Sequence, residues 1–253
     1  MTKSKPEAFK PIPIRRGASA VSRVAYAARQ WVDLQLLTCT RFLRPRLIHL
    51  KGEVLDVGCG EMPFRSFLPK DVRYLGLDVP EAVSFGMREH ADIVVFDGVK
   101  IPFPDRSWDV ILCTEVLEHT PEPETLVAEM LRVLRPGGTL LMTVPFSTRV
   151  HHSPHDYQRF TRFRLVLLLS GFQTVEVLER GNDYAVIANK MIVLCARLVS
   201  ERNWIKRIVA LAVVVLLLGP LTSLALFFAH ISLLAGLGSK DDPLGYGCVA
   251  KKA

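Results

Sequence analysis

The chain has no Cys-x-x-Cys pair. Its five cysteines, Cys39, Cys59, Cys113, Cys195 and Cys248, are odd in number and scattered over 253 residues. That excludes a disulfide framework and a zinc knuckle, and points to a reducing compartment. Lys, Arg, Asp and Glu are absent from residues 208–239, a stretch too long to hide easily on one small domain. Glycine and proline, 16 of each, follow no period, which excludes collagen-like and low-complexity sequence. A charged fraction of 23% beside 49% hydrophobic residues excludes an intrinsically disordered chain. No apolar run follows the charges of residues 1–17, so no secretory leader is expected there.

What charge there is sits unevenly. Residues 1–51 hold 11 Lys/Arg against Glu7 and Asp33, although the whole chain is only +7. Residues 1–17 read as a flexible basic arm and 18–50 as an N-terminal helix. In that helix Val21, Val24, Ala25, Ala28, Trp31, Val32 and Leu36 recur at helical spacing, and Pro45 should end or kink it. Such a basic block suits anionic lipid, nucleic acid or plain solvent. Few aromatics interleave with its charges and no RNA-binding motif appears, so nucleic acid is not the expected partner.

From Gly52 onward, short runs rich in Val, Ile and Leu alternate with helical stretches. EVLDVG, RYLGLDV, DIVVFD, WDVILCTEV and TLLMTVPF read as strands, with FQTVEVLE as a sixth and GYGCVAKK as a last. Runs apolar on both faces belong in a parallel sheet covered by helices. The β-α-β-α-β order predicts a doubly wound α/β fold.

Three acidic strand ends would share the carboxyl edge of that sheet. Asp56 precedes Gly58 and Gly60, a turn that lets backbone approach a ligand. The third glycine of the dinucleotide fingerprint is missing, and Asp56 would oppose a pyrophosphate but suit a cationic ammonium. Asp78 ends the second strand, where an acid can accept from ribose hydroxyls; a plain strand-end turn is the competing reading. Asp97-Gly98 ends the third, where it could meet an adenine amino group or simply form a turn.

These segments, EVLDVGCG (53–60), YLGLDV (74–79), VVFDGVKIPFPDRSWDVILCTEVLEH (94–119) and LRVLRPGGTLLMTVPF (131–146), resemble a class I S-adenosylmethionine-dependent methyltransferase of the small-molecule type. The resemblance covers residues 50–180 and the last strand. It implies a Rossmann-like seven-stranded sheet, mostly parallel with an antiparallel last strand, and S-adenosyl-L-methionine as cofactor. It implies that Asp56, Gly58, Cys59 and Gly60 hold the methionine moiety. Asp78 and Val79 would hold the ribose, Asp97 and Gly98 the adenine, and Glu115 would line the floor. The core is then 51–182 with 241–253 as its last strand. No Asn/Asp-Pro-Pro-Tyr sequence follows the fourth strand, which argues against methylation of base amino groups.

Methyl transfer from a sulfonium needs a positioned acceptor and, for a hydroxyl or amine, loss of a proton. No metal is required and none is expected. His119 is a base candidate, or only a shaper of the pocket. The segment His151-His152-Ser153-Pro154-His155-Asp156-Tyr157 suits a substrate loop, with His155 and Tyr157 as catalytic candidates. His151 and His155 are four apart, but Pro154 disfavours the helix that would align them for a metal.

Residues 183–240 read as an apolar helical insertion. Within it, 208–218 and 221–237 are two apolar arms separated by Gly219-Pro220. At helical rise they reach roughly 16 and 25 Å, short of a hydrocarbon core of about 30 Å. If GYGCVAKK rejoins the sheet, the chain must return to the side it left, so a hairpin in one leaflet is expected. Arg202, Lys206, Arg207 and Lys240 would then lie together at headgroup level on the cytoplasmic side. The protein is thus expected to be peripheral or monotopic, methylating a lipid-linked or amphipathic acceptor: a cell-envelope glycan intermediate, a quinone-like ring or a lipid. The alternatives are a soluble small-molecule acceptor with the insertion serving a homodimer, and a cofactor-binding scaffold without catalysis.

Overall fold

The computed structural model describes residues 12–14, 17, 19–87, 90–201 and 203–253. Most of the basic arm and Arg202 lie outside the described residues.

Seven strands, β1 (Glu53–Val57), β2 (Arg73–Asp78), β3 (Ile93–Val95), β4 (Trp108–Thr114), β5 (Leu134–Pro145), β6 (Thr174–Arg180) and β7 (Gly245–Lys251), form one sheet. Their order is β3-β2-β1-β4-β5-β7-β6. The strands from β1 to β5 pair in parallel, and β7 runs antiparallel to both β5 and β6. This is the Rossmann-like doubly wound sheet that the sequence predicts. Alternation along the strands splits the core. Leu55, Val57, Ile111, Cys113, Leu140 and Met142 join one buried cluster; Val54, Val110, Leu112 and Leu141 join another.

The covering helices differ from expectation. The turn after β1 leads into no α-helix: residues between β1 and β2 form only a 3-10 turn, Arg65–Phe67. Pro63 and Pro69 flank it and interrupt the helical hydrogen-bond ladder. Helix α2 (Leu34–Leu47) covers that face instead, burying Leu36, Phe42, Leu43 and Leu47 against Val54, Val110 and Leu112. Each such side chain contributes about 1.5–3 kcal/mol. The expected single N-terminal helix is two, because Asp33 separates α1 (Ala20–Val32) from α2. Asp33 accepts the Leu36 N–H at 3.0 Å, a helix N-cap that outcompetes continuation. Pro45 lies inside the last turn of α2 and does not end it. The apolar stripe of α1 faces outward: Val21, Val24, Trp31 and Val32 are exposed and Tyr26 is the buried residue.

Helices α3 (Pro123–Val133) and α4 (Arg162–Leu168) cover the other face of the sheet. After β6 come α5 (Asp183–Val199), α6 (Trp204–Val213) and α7 (Gly219–Ala235). The expected break at Gly219-Pro220 does not occur. Helix α6, a π-turn at Val214–Leu218 and α7 make one helix, Trp204–Ala235. The Gly219 N–H reaches back to the Val214 carbonyl, and this wide turn loosens the carbonyl ladder where the ring of Pro220 must fit. The hairpin exists, but its legs are α5, which ends at Val199, and the α6–α7 helix, which begins at Trp204. Its base is tied where the chain leaves and rejoins the sheet. Asn182 Nδ2 donates to Ser232 Oγ (3.0 Å) and to the Leu237 carbonyl (2.7 Å), and Asp183 N–H to the Ser239 carbonyl (3.2 Å). Lys206 and Arg207 therefore stand at the opposite end of the helix from Lys240, not beside it.

Candidate functional site

The chain turns at Gly58-Cys59-Gly60 on the carboxyl edge of the sheet. Gly58 has φ +69°, and a Cβ there would overlap the Val116 side chain. Only glycine satisfies both demands. The turn is fixed from the neighbouring strand: Gly60 N–H donates to Asp78 Oδ2 at 2.7 Å, and Val79 N–H to Asp78 Oδ1 at 2.8 Å. Beneath it Asp56 is buried, taking the Tyr74 hydroxyl on Oδ2 at 2.6 Å. Its other oxygen, Oδ1, is buried without a hydrogen bond. Burial pushes the Asp56 carboxyl up to about 7; the Tyr74 bond opposes this and the charge of Asp78 adds to it. Burial raises Asp78 too, against the pull of the two backbone N–H groups. Asp97 is exposed, and Oδ1 accepts from Val99 and Lys100 N–H at 2.8 Å each, which holds its carboxyl below the usual range.

A cavity of about 650 Å³ opens beside the turn. Gly58, Cys59, Gly60 and Glu115 line one end; His119, His151 and His152 line another. Its roof comes from Gln35, Leu36 and Cys39 of α2 and from Asn189, Ile192 and Val193 of α5. The segment Ile12–Ile14 also lines it, strapped by Arg29, whose Nη2 and Nη1 donate to the carbonyls of Ile12 (2.7 Å) and Pro13 (2.9 Å). That part of the expected flexible arm is thus a piece of the cavity wall.

Glu115 takes φ +55°, a costly conformation for a non-glycine residue. It is held by Arg180, which is buried at the end of β6 and donates from Nη2 to Glu115 Oε1 at 2.7 Å. The same guanidinium donates to the Val144 and Tyr246 carbonyls and to Cys39 Sγ. Burial pushes the Cys39 thiol well up, so it packs as a thiol.

The histidine end is equally defined. His119 Nδ1 donates to the His155 carbonyl at 2.6 Å. His151 Nδ1 is 3.1 Å from the Arg149 carbonyl and 3.3 Å from Asp156 Oδ2. Asp156 in turn is ion-paired with Arg159. Burial lowers both histidines, His151 to about 4, so both are neutral at pH 7. His152 has φ +52°.

Of the nine cofactor positions expected, Gly58, Cys59, Gly60 and Glu115 line the cavity. Asp56, Asp78 and Val79 lie beneath or around the turn, and Asp97-Gly98 lies on an exposed loop apart from the cavity lining. Of the catalytic candidates, His119 lines the cavity. His155 and Tyr157 are exposed, His155 Nδ1 being 3.2 Å from the Tyr157 hydroxyl. The structure brings His151 together with His119 and His152, not with His155. Sequence reasoning missed Gln35, Cys39, Tyr74 and Arg180. Of these only Arg180 left a signal, a charge where an apolar strand meets its loop.

Residues 55–142 match the methyltransferase-domain family. A fatty-acid O-methyltransferase of Mycolicibacterium smegmatis is 31% identical over 142 residues, covering 51% of this chain and 51% of that protein. The phthiotriol/phenolphthiotriol dimycocerosates methyltransferase 1 of Mycobacterium ulcerans is 38% identical over 105 residues, 38% of this chain and 39% of that protein. The chain thus spans about half, or less, of the curated relatives it matches. Among solved structures, a SAM-dependent methyltransferase from Archaeoglobus fulgidus superposes with a TM-score of 0.53 at 15% identity, over 90% of this chain and 99% of that one. The cyclase SpnF gives 0.54 at 20% identity, over 86% and 81%. At those identities the likeness is one of fold.

Proposed function

We propose that this chain, a class I S-adenosylmethionine-dependent methyltransferase through residues 55–142, methylates a lipid-linked or amphipathic small molecule at a membrane surface. The observation that carries the reading is a shared wall. Ile192 and Val193 of α5 line the cavity, while Cys195 of the same helix meets Thr222 of α7 at 3.4 Å. One helix therefore separates the cavity from the apolar helix Trp204–Ala235, which is long and apolar enough to cross a membrane and only 6% buried over its most apolar stretch.

The residues at the glycine turn fit the cofactor. The orphaned Asp56 Oδ1 lacks a donor that a ligand ammonium supplies. The left-handed Gly58 and Gly60 admit close approach, and the Asp78 carboxylate, already oriented by two backbone N–H groups, keeps lone pairs for ribose hydroxyls. When bound, the sulfonium supplies an already activated methyl group. The remaining work falls to the chain. Glu115 shapes the floor, Ile12–Ile14 and α2 exclude water, and the histidine end receives the acceptor. His155 and Tyr157 stand at the outer rim, where they would orient an entering acceptor.

A chain that leaves and rejoins the sheet at one tied base suits a hairpin that enters a membrane from one face. Trp204, Lys206 and Arg207 at its far end suit the interface rather than the hydrocarbon centre. We place this face on the cytoplasmic side; the free state of all five cysteines fits a reducing compartment. The fatty-acid specificity named for the Mycolicibacterium relative points to the same acceptor class.

The test is methyl transfer from labelled S-adenosylmethionine into a membrane extract, counted separately in organic and aqueous phases. Label in the organic phase is expected. Label confined to the aqueous phase would replace this reading with a soluble acceptor and an insertion used between two copies. Cofactor binding without transfer to any fraction would leave a scaffold.

A further inference from the structure

We infer that the histidine end of the cavity is a binding site for one divalent transition-metal cation, held by His119, His151 and His152 with the carboxylate of Glu118 behind them. The donor atoms of the three histidines all lie within 4.8 Å of one another. Glu118 is fully buried, and neither of its oxygens has a hydrogen-bond partner among the described residues. Oε1 points between two imidazoles, 3.7 Å from His119 Nε2 and 3.9 Å from His151 Nε2. These separations are too long for hydrogen bonds. As a carboxylate Glu118 lacks a donor; as an acid it lacks an acceptor. Either state leaves a buried polar group unsatisfied.

A cation between the three atoms resolves this. Two donors each about 2.1 Å from a zinc-sized ion and at a tetrahedral angle stand roughly 3.4 Å apart. Glu118 Oε1 is within a few tenths of an ångström of that separation from His119 Nε2 and His151 Nε2, and the three histidine donors, within 4.8 Å of one another, draw in the rest of the way by side-chain rotation. The outer contacts are those of ligating histidines. His119 Nδ1–H is spent on a carbonyl at 2.6 Å, which leaves Nε2 with its lone pair toward Glu118. His151 Nδ1 is likewise occupied by the Arg149 carbonyl and Asp156. Nitrogen donors with one carboxylate select a first-row transition ion over magnesium or calcium.

What the ion does rests on the methyl-transfer reading; that it binds does not. An acceptor hydroxyl entering its coordination sphere would lose its proton to solvent more readily, leaving the oxygen as nucleophile.

The experiment is titration of Co²⁺ into the full chain, purified without a histidine tag and stripped with a chelator. Calorimetry gives stoichiometry and the visible d–d bands give the ligand field. One equivalent with visible bands is expected. His151→Ala, His152→Ala and Glu118→Gln should each weaken binding by about tenfold or more. Cofactor affinity, measured on the same samples, should stay within about twofold and so certify folding. Binding that is substoichiometric, or unchanged in His152→Ala (a partly buried residue outside the hydrophobic core clusters), means an adventitious ion only and overturns the site. A well-bound cobalt in a protein that transfers no methyl group would uphold the site and remove the reaction.

Discussion

Arg180 Nη2 lies 2.7 Å from Glu115 Oε1, joining the end of β6 to the loop after β4 across β5 and β7. Arg180 is 3% exposed, and the other partners of its guanidinium among the described residues, Thr38, Cys39, Val144 and Tyr246, belong to α2, β5 or β7. The strained φ of Glu115 is therefore maintained from a strand three places away in the sheet.

Arg180→Met should cost roughly 1–3 kcal/mol, because it leaves the Val144 and Tyr246 carbonyls without this buried donor, while Glu115, at the cavity wall, can still reach water. Arg180→Lys should recover little, since a point charge cannot serve Glu115, Val144 and Tyr246 together. Thermal unfolding of the three proteins checks this; a fully stable lysine variant would show that charge alone matters.

If Asp56 meets the cofactor as proposed, cofactor affinity should depend on pH. Its carboxyl is raised from 3.8 to about 7 in the folded chain. This group's contribution to stability is thus fully present below the unfolded value and lost as pH rises through about 7. A cationic ligand prefers the ionised form, so the two demands oppose each other. Cofactor Kd should rise by up to about tenfold per pH unit below 7, with proton release on binding at neutral pH. Asp56→Asn should flatten that profile and stabilise the ligand-free chain at pH 8. Calorimetry in buffers of different ionisation enthalpy reads both; an unchanged profile in the variant would assign the titration elsewhere.

At Gly58 two costs can be separated. Gly58→Ala meets the Val116 side chain and a φ of +69°. The left-handed backbone alone costs about 1–2 kcal/mol. Val116→Gly added to Gly58→Ala should restore only the steric share of the lost melting temperature, leaving the backbone share. Complete rescue would mean that backbone conformation is not what demands glycine here.

The sheet was legible because its strands are apolar on both faces, and the glycine turn because its residues stand at a strand end. The cavity's other walls were not. Gln35 and Cys39 lie more than a dozen residues before β1 and reach the site only because α2 replaces a helix that Pro63 and Pro69 prevent. The stripe Val21, Val24, Trp31 predicts a buried face, yet periodicity cannot say whether an apolar face meets a core or something outside the chain. Gly219-Pro220 reads as a break because proline forbids a regular α-helical bond; the π-turn that absorbs it depends on the bond from Gly219 to Val214. The histidine triad depends on where His119 and the loop after β5 meet, which no spacing encodes.

The apolar helix itself separates membrane from protein partners. Leu216 and Leu217 are 79% and 57% exposed, so charging them leaves the chain's own packing intact. Leu226 is 8% exposed and packs with Leu34 and Ala229; Leu226→Glu should unfold the hairpin base. Each glutamate placed in hydrocarbon costs on the order of 2–3 kcal/mol. Leu216→Glu with Leu217→Glu should therefore reduce liposome flotation by at least about a hundredfold in partition coefficient at unchanged melting temperature. If flotation is unchanged while a dimer dissociates in sedimentation, the exposed leucines face a second copy of the chain. The cavity would then take its acceptor from water, because α5 would divide it from a protein interface instead of a lipid surface.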